Sequence, residues 1–177
     1  MKTLITFFFT LIIFASATVF ANDNAELQRL FDEDQAARQN QDVDWDTLDK
    51  EDAERREAVL GLITDGEVRT GLDYFNAAII FQHGETVEDI RIAHSLATIS
   101  AMLGFERAKW LQAASWDRML IRFEQPQWYG TQFNVDESGK WKLHEVNPDV
   151  ITDEQRAEWL VPSLEESKAR AESRNEG

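Results

Sequence analysis

Hydrophobic residues recur every three or four positions along most of the chain, which is the spacing of amphipathic helices. The pattern predicts a helix beginning at Ala25 and another over 49–63, with a polar stretch rich in aspartate between them. It predicts three more helices over 70–83, 86–103 and 105–123, with a glycine at each of the two junctions. The fold is therefore expected to be mainly α-helical.

The spacing changes after Pro126, where two short runs of β-like composition begin. Residues 131–135 and 141–146 predict strands because they are short and flanked by turn-forming residues. The segment Asp136–Gly139 between them has the composition of a hairpin turn. A small β-hairpin is therefore expected after the helices, at about 131–146.

The C-terminal part predicts one further helix and then a loose end. Thr152 and the glutamine three residues later form a capping box, and Pro162 interrupts the helix that it opens. We expect a single compact domain over 22–164, mainly α, with about five to six helices and the small hairpin. The highly charged segment 165–177 is expected to fray.

The first 21 residues differ from the rest of the chain. A basic start leads into an almost unbroken apolar run over 4–14, and Val19-Phe20-Ala21 offers small side chains, Val19 and Ala21, at the two positions that a signal peptidase reads. We expect a signal peptide over 1–21, with cleavage after Ala21; Ala15-Ser16-Ala17 is a second candidate site. An uncleaved anchor is the alternative, although the run is short for a membrane span. The mature protein is expected to be exported, periplasmic or secreted, without a stable membrane anchor.

Charge and composition exclude several classes of partner and chemistry. The 177-residue chain has 33 acidic and 18 basic side chains, a formal net charge of -15. Such a surface repels phosphate backbones unless a basic patch intervenes, so nucleic acid is not an expected partner. The absence of cysteine excludes disulfides, thiol nucleophiles and cysteine-based zinc sites. Asp42, Asp44 and Asp46 lack the glycine and glutamate of a calcium loop, and neither a metal nor a cofactor is expected.

Two side chains on the predicted helices are candidates for acid–base chemistry. His83 ends an apolar stripe just before Gly84, where an imidazole suits a general base; a histidine that merely hydrogen-bonds a carbonyl is the alternative. Asp117 lies on a stripe of Trp, Ala and Ile, so it points toward the core, where a carboxylate needs a compensating partner. Arg118 or Arg122 is a candidate partner, and a functional acid is the other interpretation.

The segment between the last long helix and the hairpin gathers polar and aromatic side chains around Gly130. Its candidate ligand-binding residues are Gln127, Trp128, Tyr129, Thr131 and Gln132. Loops of this composition often line ligand sites because glycine lets the backbone approach closely. The alternative is a connection whose aromatic rings cap the core. His94 and His144 are weaker candidates, since neither has neighbours at metal-ligand spacing.

The order of these motifs resembles a bacterial family catalogued as domain of unknown function 6624. The resemblance is carried by Gln82-His83, Asp117-Arg118, the run Gln127-x-Tyr129-Gly130-Thr131-Gln132 and Thr152 to Arg156. The chain departs from the family pattern at Asp65-Gly66-Glu67 and at Gly84. The resemblance implies that His83, Asp117, Arg118 and the Tyr129 loop belong together, but it supplies no reaction.

Two functions are consistent with these residues if they share one pocket. The first is a metal-independent hydrolase, with His83 as base, Asp117 orienting it or acting as acid, and Arg118 with Gln132 holding a polar or anionic substrate. The second is a binding module for a small molecule or peptide, in which Trp128 and Tyr129 supply stacking area. A purely structural cluster is the third interpretation.

Overall fold

The computed structural model describes residues 22–39 and 44–176. The expected signal peptide and Asp42 lie outside the described residues. Within these ranges the chain is mainly α-helical, with a two-stranded antiparallel hairpin, as predicted. None of the described helices is long and apolar enough to cross a membrane. The elements in order are α1 Ala25–Ala37, α2 Trp45–Thr64, α3 Gly71–Gln82, α4 Val87–Met102, α5 Ala108–Arg122, β1 Phe133–Val135, β2 Trp141–Leu143, α6 Asp153–Glu158 and α7 Leu164–Ser173.

Several helices begin at a capping box. In it the hydroxyl of the cap residue accepts a hydrogen bond from the backbone N–H of the residue three positions later, whose acidic or amide side chain accepts one from the backbone N–H of the cap residue. Thr86 and Thr152 form such boxes at the starts of α4 and α6, the second as expected from the sequence. Thr70 does the same for α3, and Ser163 does so for α7. These caps fix where the chain enters each helix.

The core lies around α3, which packs against α1, α2, α4 and α5. Phe75, Ile80 and Phe81 of α3 are buried in it, together with Leu27 and Leu30 of α1. Helix α4 lies between α3 and α5. Because α3 is surrounded, the residues at its C-terminal end face side chains from several helices.

The segment 165–177, expected to fray, is instead ordered as far as it is described. Most of it belongs to α7, which packs against β2 and buries Ser167 and Ala171. The guanidinium of Arg174 stacks on the ring of Trp141, 4.7 Å from its centroid. The side chain of Asn175 accepts a hydrogen bond from the backbone N–H of Trp141 and donates one to its carbonyl. The prediction was wrong because small residues on one face of α7 let it pack closely despite its charge.

Candidate functional site

His83 follows α3 as its C-cap residue, and its closest ionic partner is Asp34 of α1. The Nδ1 atom of His83 lies 3.1 and 3.0 Å from the two carboxylate oxygens of Asp34. The Asp34 side chain is buried, whereas the imidazole is partly exposed. Nε2 of His83 forms no hydrogen bond with any described residue, so this atom is available to a ligand or to water.

Arg38 connects Asp34 to the neighbouring helix. Its Nη1 atom donates to Asp34 at 2.8 Å, and its Nη2 atom donates to the carboxylate of Asp52 on α2. Asp52 in turn pairs with Arg55 one turn along the same helix. This buried chain of alternating charges ties α1 to α2 and fixes the Asp34 carboxylate, and through it the His83 ring.

The electrostatic environment keeps Asp34 ionised. Burial raises the pKa of this carboxyl, but the hydrogen bond from His83 and the charges of His83 and Arg38 outweigh burial, so the net pKa is lowered. Asp34 is therefore an anionic acceptor for Nδ1–H of His83. With that proton on Nδ1, the lone pair of the imidazole is on Nε2.

The His83 ring opens onto two small adjoining cavities, which we call the His83 cleft. The larger encloses about 210 Å³ and the smaller about 120 Å³. Both are lined by Asp49, Asp52, His83 and Glu85. The larger one is also lined by Arg38, Trp45, Leu48, Arg118 and Arg122, and the smaller one by Arg56, Thr86 and Asp89.

Arg118 brings a cationic group of α5 to this cleft. It is half-buried, and it forms no ion pair or hydrogen bond with any residue in the described ranges. Burial lowers the pKa of its guanidinium, and the charges of Arg122 and Arg38 lower it further, while Glu85 acts in the opposite direction. The arginine cluster therefore concentrates positive charge on one side of the cleft.

Asp117 lies in a different cluster, because consecutive helical residues project about 100° apart. Its Oδ1 atom accepts hydrogen bonds from the backbone N–H groups of Trp128 and Tyr129 at 2.8 and 2.9 Å. Its Oδ2 atom accepts from the N–H and the hydroxyl of Thr131 at 3.0 and 2.8 Å. Burial raises the pKa of Asp117 and outweighs these hydrogen bonds, which lower it.

The loop at 127–132 is held from its other side by Arg156, which is buried. Nε of Arg156 donates to the carbonyl of Tyr129 and Nη2 to that of Trp128, both at 3.0 Å. Gln127, also buried, donates to the carbonyls of Gln132 and His144 and accepts from the Gln132 N–H. The loop is thus fixed by buried side chains that bond its backbone.

The aromatic side chains of this loop pack on neighbouring rings. The Trp128 ring centroid lies 5.0 Å from that of Trp116, and the Tyr129 ring contacts Trp159 at 5.8 Å, edge to face. Burial raises the pKa of the Tyr129 phenol, and the charge of Asp117 adds to this. The proposed ligand-binding role of the loop stays a prediction, although its polar groups are largely engaged within the protein.

The structure therefore separates residues that the sequence placed in one pocket. His83 and Arg118 line the same cleft, whereas Asp117 is bonded to Trp128, Tyr129 and Thr131. The expectation that Asp117 orients His83 is corrected, since Asp34 occupies that position. Arg118 and Arg122 are not the ion-pair partners of Asp117; its partners are three backbone N–H groups and a hydroxyl.

Asp34 was missed by the sequence reasoning, although a signal for it exists. Leu27, Leu30 and Asp34 are the buried residues of α1, at the i, i+3, i+7 spacing of one helical face. A carboxylate on an apolar stripe indicates a buried partner, which is the same argument that singled out Asp117. Arg38 lies one turn further along this face and carries the matching charge.

The two other histidines lie away from this cleft. Nδ1 of His94 is 3.1 Å from both the Gln112 carbonyl and the Ser115 hydroxyl oxygen, and burial lowers the pKa of the ring. His144 follows β2 and lines a cavity of about 430 Å³ between the hairpin and α7. These positions do not bring either imidazole to Asp34 or Arg118.

No group of three or more His, Asp or Glu side chains in the described part of the chain is arranged to hold a metal ion. The cationic residues of the cleft instead suit an anionic group.

Comparison of the chain with protein-family models, with curated protein sequences and with solved structures gave no match.

Proposed function

We propose that the protein binds a small molecule carrying an anionic group in the His83 cleft. The observation that supports this most is Arg118, a half-buried guanidinium at the cleft without an ion-pair partner among the described residues. Taking a guanidinium out of water costs free energy unless hydrogen-bond acceptors replace the water. A bound carboxylate or phosphate supplies those acceptors in the two-pronged geometry that arginine prefers.

The dimensions of the cleft favour a small ligand or the charged end of a larger one. The cavity that contains Arg118 encloses about 210 Å³, which is below the roughly 300–1,000 Å³ of sites that enclose drug-sized ligands. Its polar lining also differs from the mainly apolar lining of such sites. Recognition is therefore expected to come from charge and hydrogen bonding more than from apolar burial.

Hydrolysis without a metal is a second candidate function, favoured by the contact between Asp34 and His83. With Nδ1–H donating to Asp34, Nε2 can take a proton from water in the cleft. The water oxygen then bonds to the acyl carbon of an ester or amide. The proton passes from Nε2 to the departing alcohol or amine as its bond to that carbon breaks. In this proposal Asp34 takes the orienting role that the sequence assigned to Asp117.

Isothermal titration with acetate and inorganic phosphate tests the binding proposal. We expect both anions to bind the wild-type protein and the Arg118→Gln variant to bind at least about tenfold more weakly. Arg91→Gln is the matched control, since Arg91 is exposed on α4 and pairs with Glu88. Equal affinity in wild type and Arg118→Gln would contradict the proposal.

A chromogenic ester panel tests the catalytic candidate separately. His83→Gln should abolish turnover, and Asp34→Asn should reduce it strongly while leaving anion binding measurable. His144→Gln serves as control because that ring lies at the hairpin. Turnover that survives His83→Gln unchanged would exclude His83 as the base, and anion binding without any turnover would favour the binding module.

Export and the family resemblance are part of the same proposal. The apolar run over 4–14 and the small residues before Asn22 support an exported protein, periplasmic or secreted. The Gln-His, Asp-Arg and Tyr-Gly-Thr-Gln motifs support membership in the family catalogued as domain of unknown function 6624. In this account the ligand is a small molecule or short peptide met outside the cytoplasm.

A further inference from the structure

The His83 cleft is lined by side chains of both charge signs. The residues found only in its larger cavity include Arg118 and Arg122. Asp49 and Glu85 line both cavities, next to His83. Arg118 and Arg122 thus bring positive charge from α5 to the larger cavity, while Asp49 and Glu85 bring negative charge to both cavities.

The acidic residues Asp49 and Glu85 differ from the other carboxylates of the cleft in lacking a partner. Asp52 pairs with Arg38 and Arg55, whereas Asp49 and Glu85 form no ion pair or hydrogen bond within the described part of the chain. Glu85 is near enough to Arg118 to raise the pKa of its guanidinium, although the two form no salt bridge. A bare anion bound at Arg118 would therefore be close to unneutralised carboxylates, which repel it.

We infer that the His83 cleft takes a small dipolar ligand, with its anionic group against Arg118 and Arg122 and its cationic group against Asp49 and Glu85. An amino acid or a short peptide, with a carboxylate and an ammonium group, has this chemistry. The inference rests on the proposed anion-binding function and narrows its ligand class. It also places the backbone of such a ligand beside His83, which lines both cavities.

A ligand of this kind carries a counter-charge for each of the two sets of side chains. The ammonium group removes the repulsion that the carboxylates exert on a lone anion, and it forms charge-assisted hydrogen bonds with them. Specificity then follows from the difference between charged and capped termini, since a capped ligand leaves one set of side chains unneutralised.

Diglycine and its two capped forms test this inference by titration calorimetry. N-acetyl-diglycine lacks the ammonium group and diglycinamide lacks the carboxylate. We expect wild-type protein to bind diglycine at least about tenfold more tightly than either capped form. In Glu85→Gln and Asp49→Asn the preference for diglycine over N-acetyl-diglycine should fall, with no loss of N-acetyl-diglycine binding.

Glu88→Gln is the matched control, since Glu88 is exposed on α4 and pairs with Arg91 outside the cleft. Its preference for diglycine should equal that of wild type. If N-acetyl-diglycine and acetate bind as tightly as diglycine, through Arg118, the dipolar inference is overturned while the anion-binding proposal stands. If no anionic probe binds, the proposed function fails and the inference fails with it.

Discussion

Asp34 on α1 contacts Nδ1 of His83 at the end of α3, with the two oxygens 3.1 and 3.0 Å from the ring nitrogen. The buried carboxylate is itself fixed by Arg38, which bridges it to Asp52 on α2. The His83 ring is therefore oriented by three helices, and its Nε2 atom is left for the cleft. This relationship underlies the catalytic proposal, and it orients the ring that lines the proposed anion site.

The first prediction concerns the pH dependence of stability contributed by Asp34. Its pKa in the folded state lies below its ordinary value of 3.8, so its stabilising contribution is complete above that value. The contribution is lost as the pH falls through the lowered folded pKa. Urea unfolding gives the free energy of unfolding of wild type and of Asp34→Asn. The difference between these two free energies should be steady near pH 5 and should shrink below about pH 4.

The control for this measurement is the same comparison in a His83→Gln background. The hydrogen bond and charge of His83 are among the causes of the lowered pKa of Asp34. In the His83→Gln background, the contribution of Asp34 to stability should therefore fall less at low pH. A difference between wild type and Asp34→Asn that grows as the pH falls would contradict the assigned direction of the shift.

The second prediction concerns Asp117 and the loop that it anchors. Asp117→Ala leaves three backbone N–H groups and one hydroxyl without their acceptor, and the free energy of unfolding should fall by about 3–5 kcal/mol. Asp117→Asn should cost less, because Oδ1 remains an acceptor. Glu57→Ala, at an exposed position on α2, should change stability by no more than about 0.5 kcal/mol. A loss below about 1 kcal/mol for Asp117→Ala would show that the loop does not depend on this carboxylate.

The third prediction concerns Gly130 in the same loop. Its backbone φ is +82°, a value that residues with a side chain rarely adopt. An added Cβ would lie 3.0 Å from Cδ2 of Leu164 at the start of α7. Gly130→Ala should therefore destabilise the protein by about 1–3 kcal/mol. Gly61→Ala is the control, because Gly61 is within α2 with open space around it, and it should stabilise by roughly 0.5–1 kcal/mol. Equal thermal stability of the two variants would argue against the close approach of the loop and α7.

The fourth prediction concerns export. Because Val19 and Ala21 match the small-residue rule for cleavage, the mature protein is expected to begin at Asn22. Intact-mass measurement of protein recovered from the periplasm or the medium checks this. A chain retained in the membrane fraction with Met1 intact would support the uncleaved anchor instead.

The helices and the hairpin were predictable because their signals are local. Thr86 and Thr152 each begin a helix by exchanging hydrogen bonds with the residue three positions later. The turn between β1 and β2 was evident from the composition of the segment that joins them. The helix in the segment 165–177 was not predictable, since charged residues dominate that sequence. The packing of α7 depends instead on the small residues Ser167 and Ala171, which face the hairpin.

The site was only partly predictable, for a different physical reason. The position of His83 and the burial of Asp117 followed from helical spacing, but partners far apart in sequence leave no local pattern. Asp34 and His83 are 49 positions apart. The donors to Asp117 are mainly backbone N–H groups. Every residue type except proline carries such a group, so the amino-acid sequence does not show which residues donate.

The central claim is that an anionic group binds beside His83 and Arg118, and an NMR titration of the imidazole resonances tests it most directly. The chain has three histidines, whose ring signals can be assigned with His83→Gln, His94→Gln and His144→Gln. Added acetate at constant pH and ionic strength should shift the His83 signals saturably in wild type, and much less in Arg118→Gln. Unchanged His83 signals in wild type, or the same saturable shift in Arg118→Gln, would contradict the account.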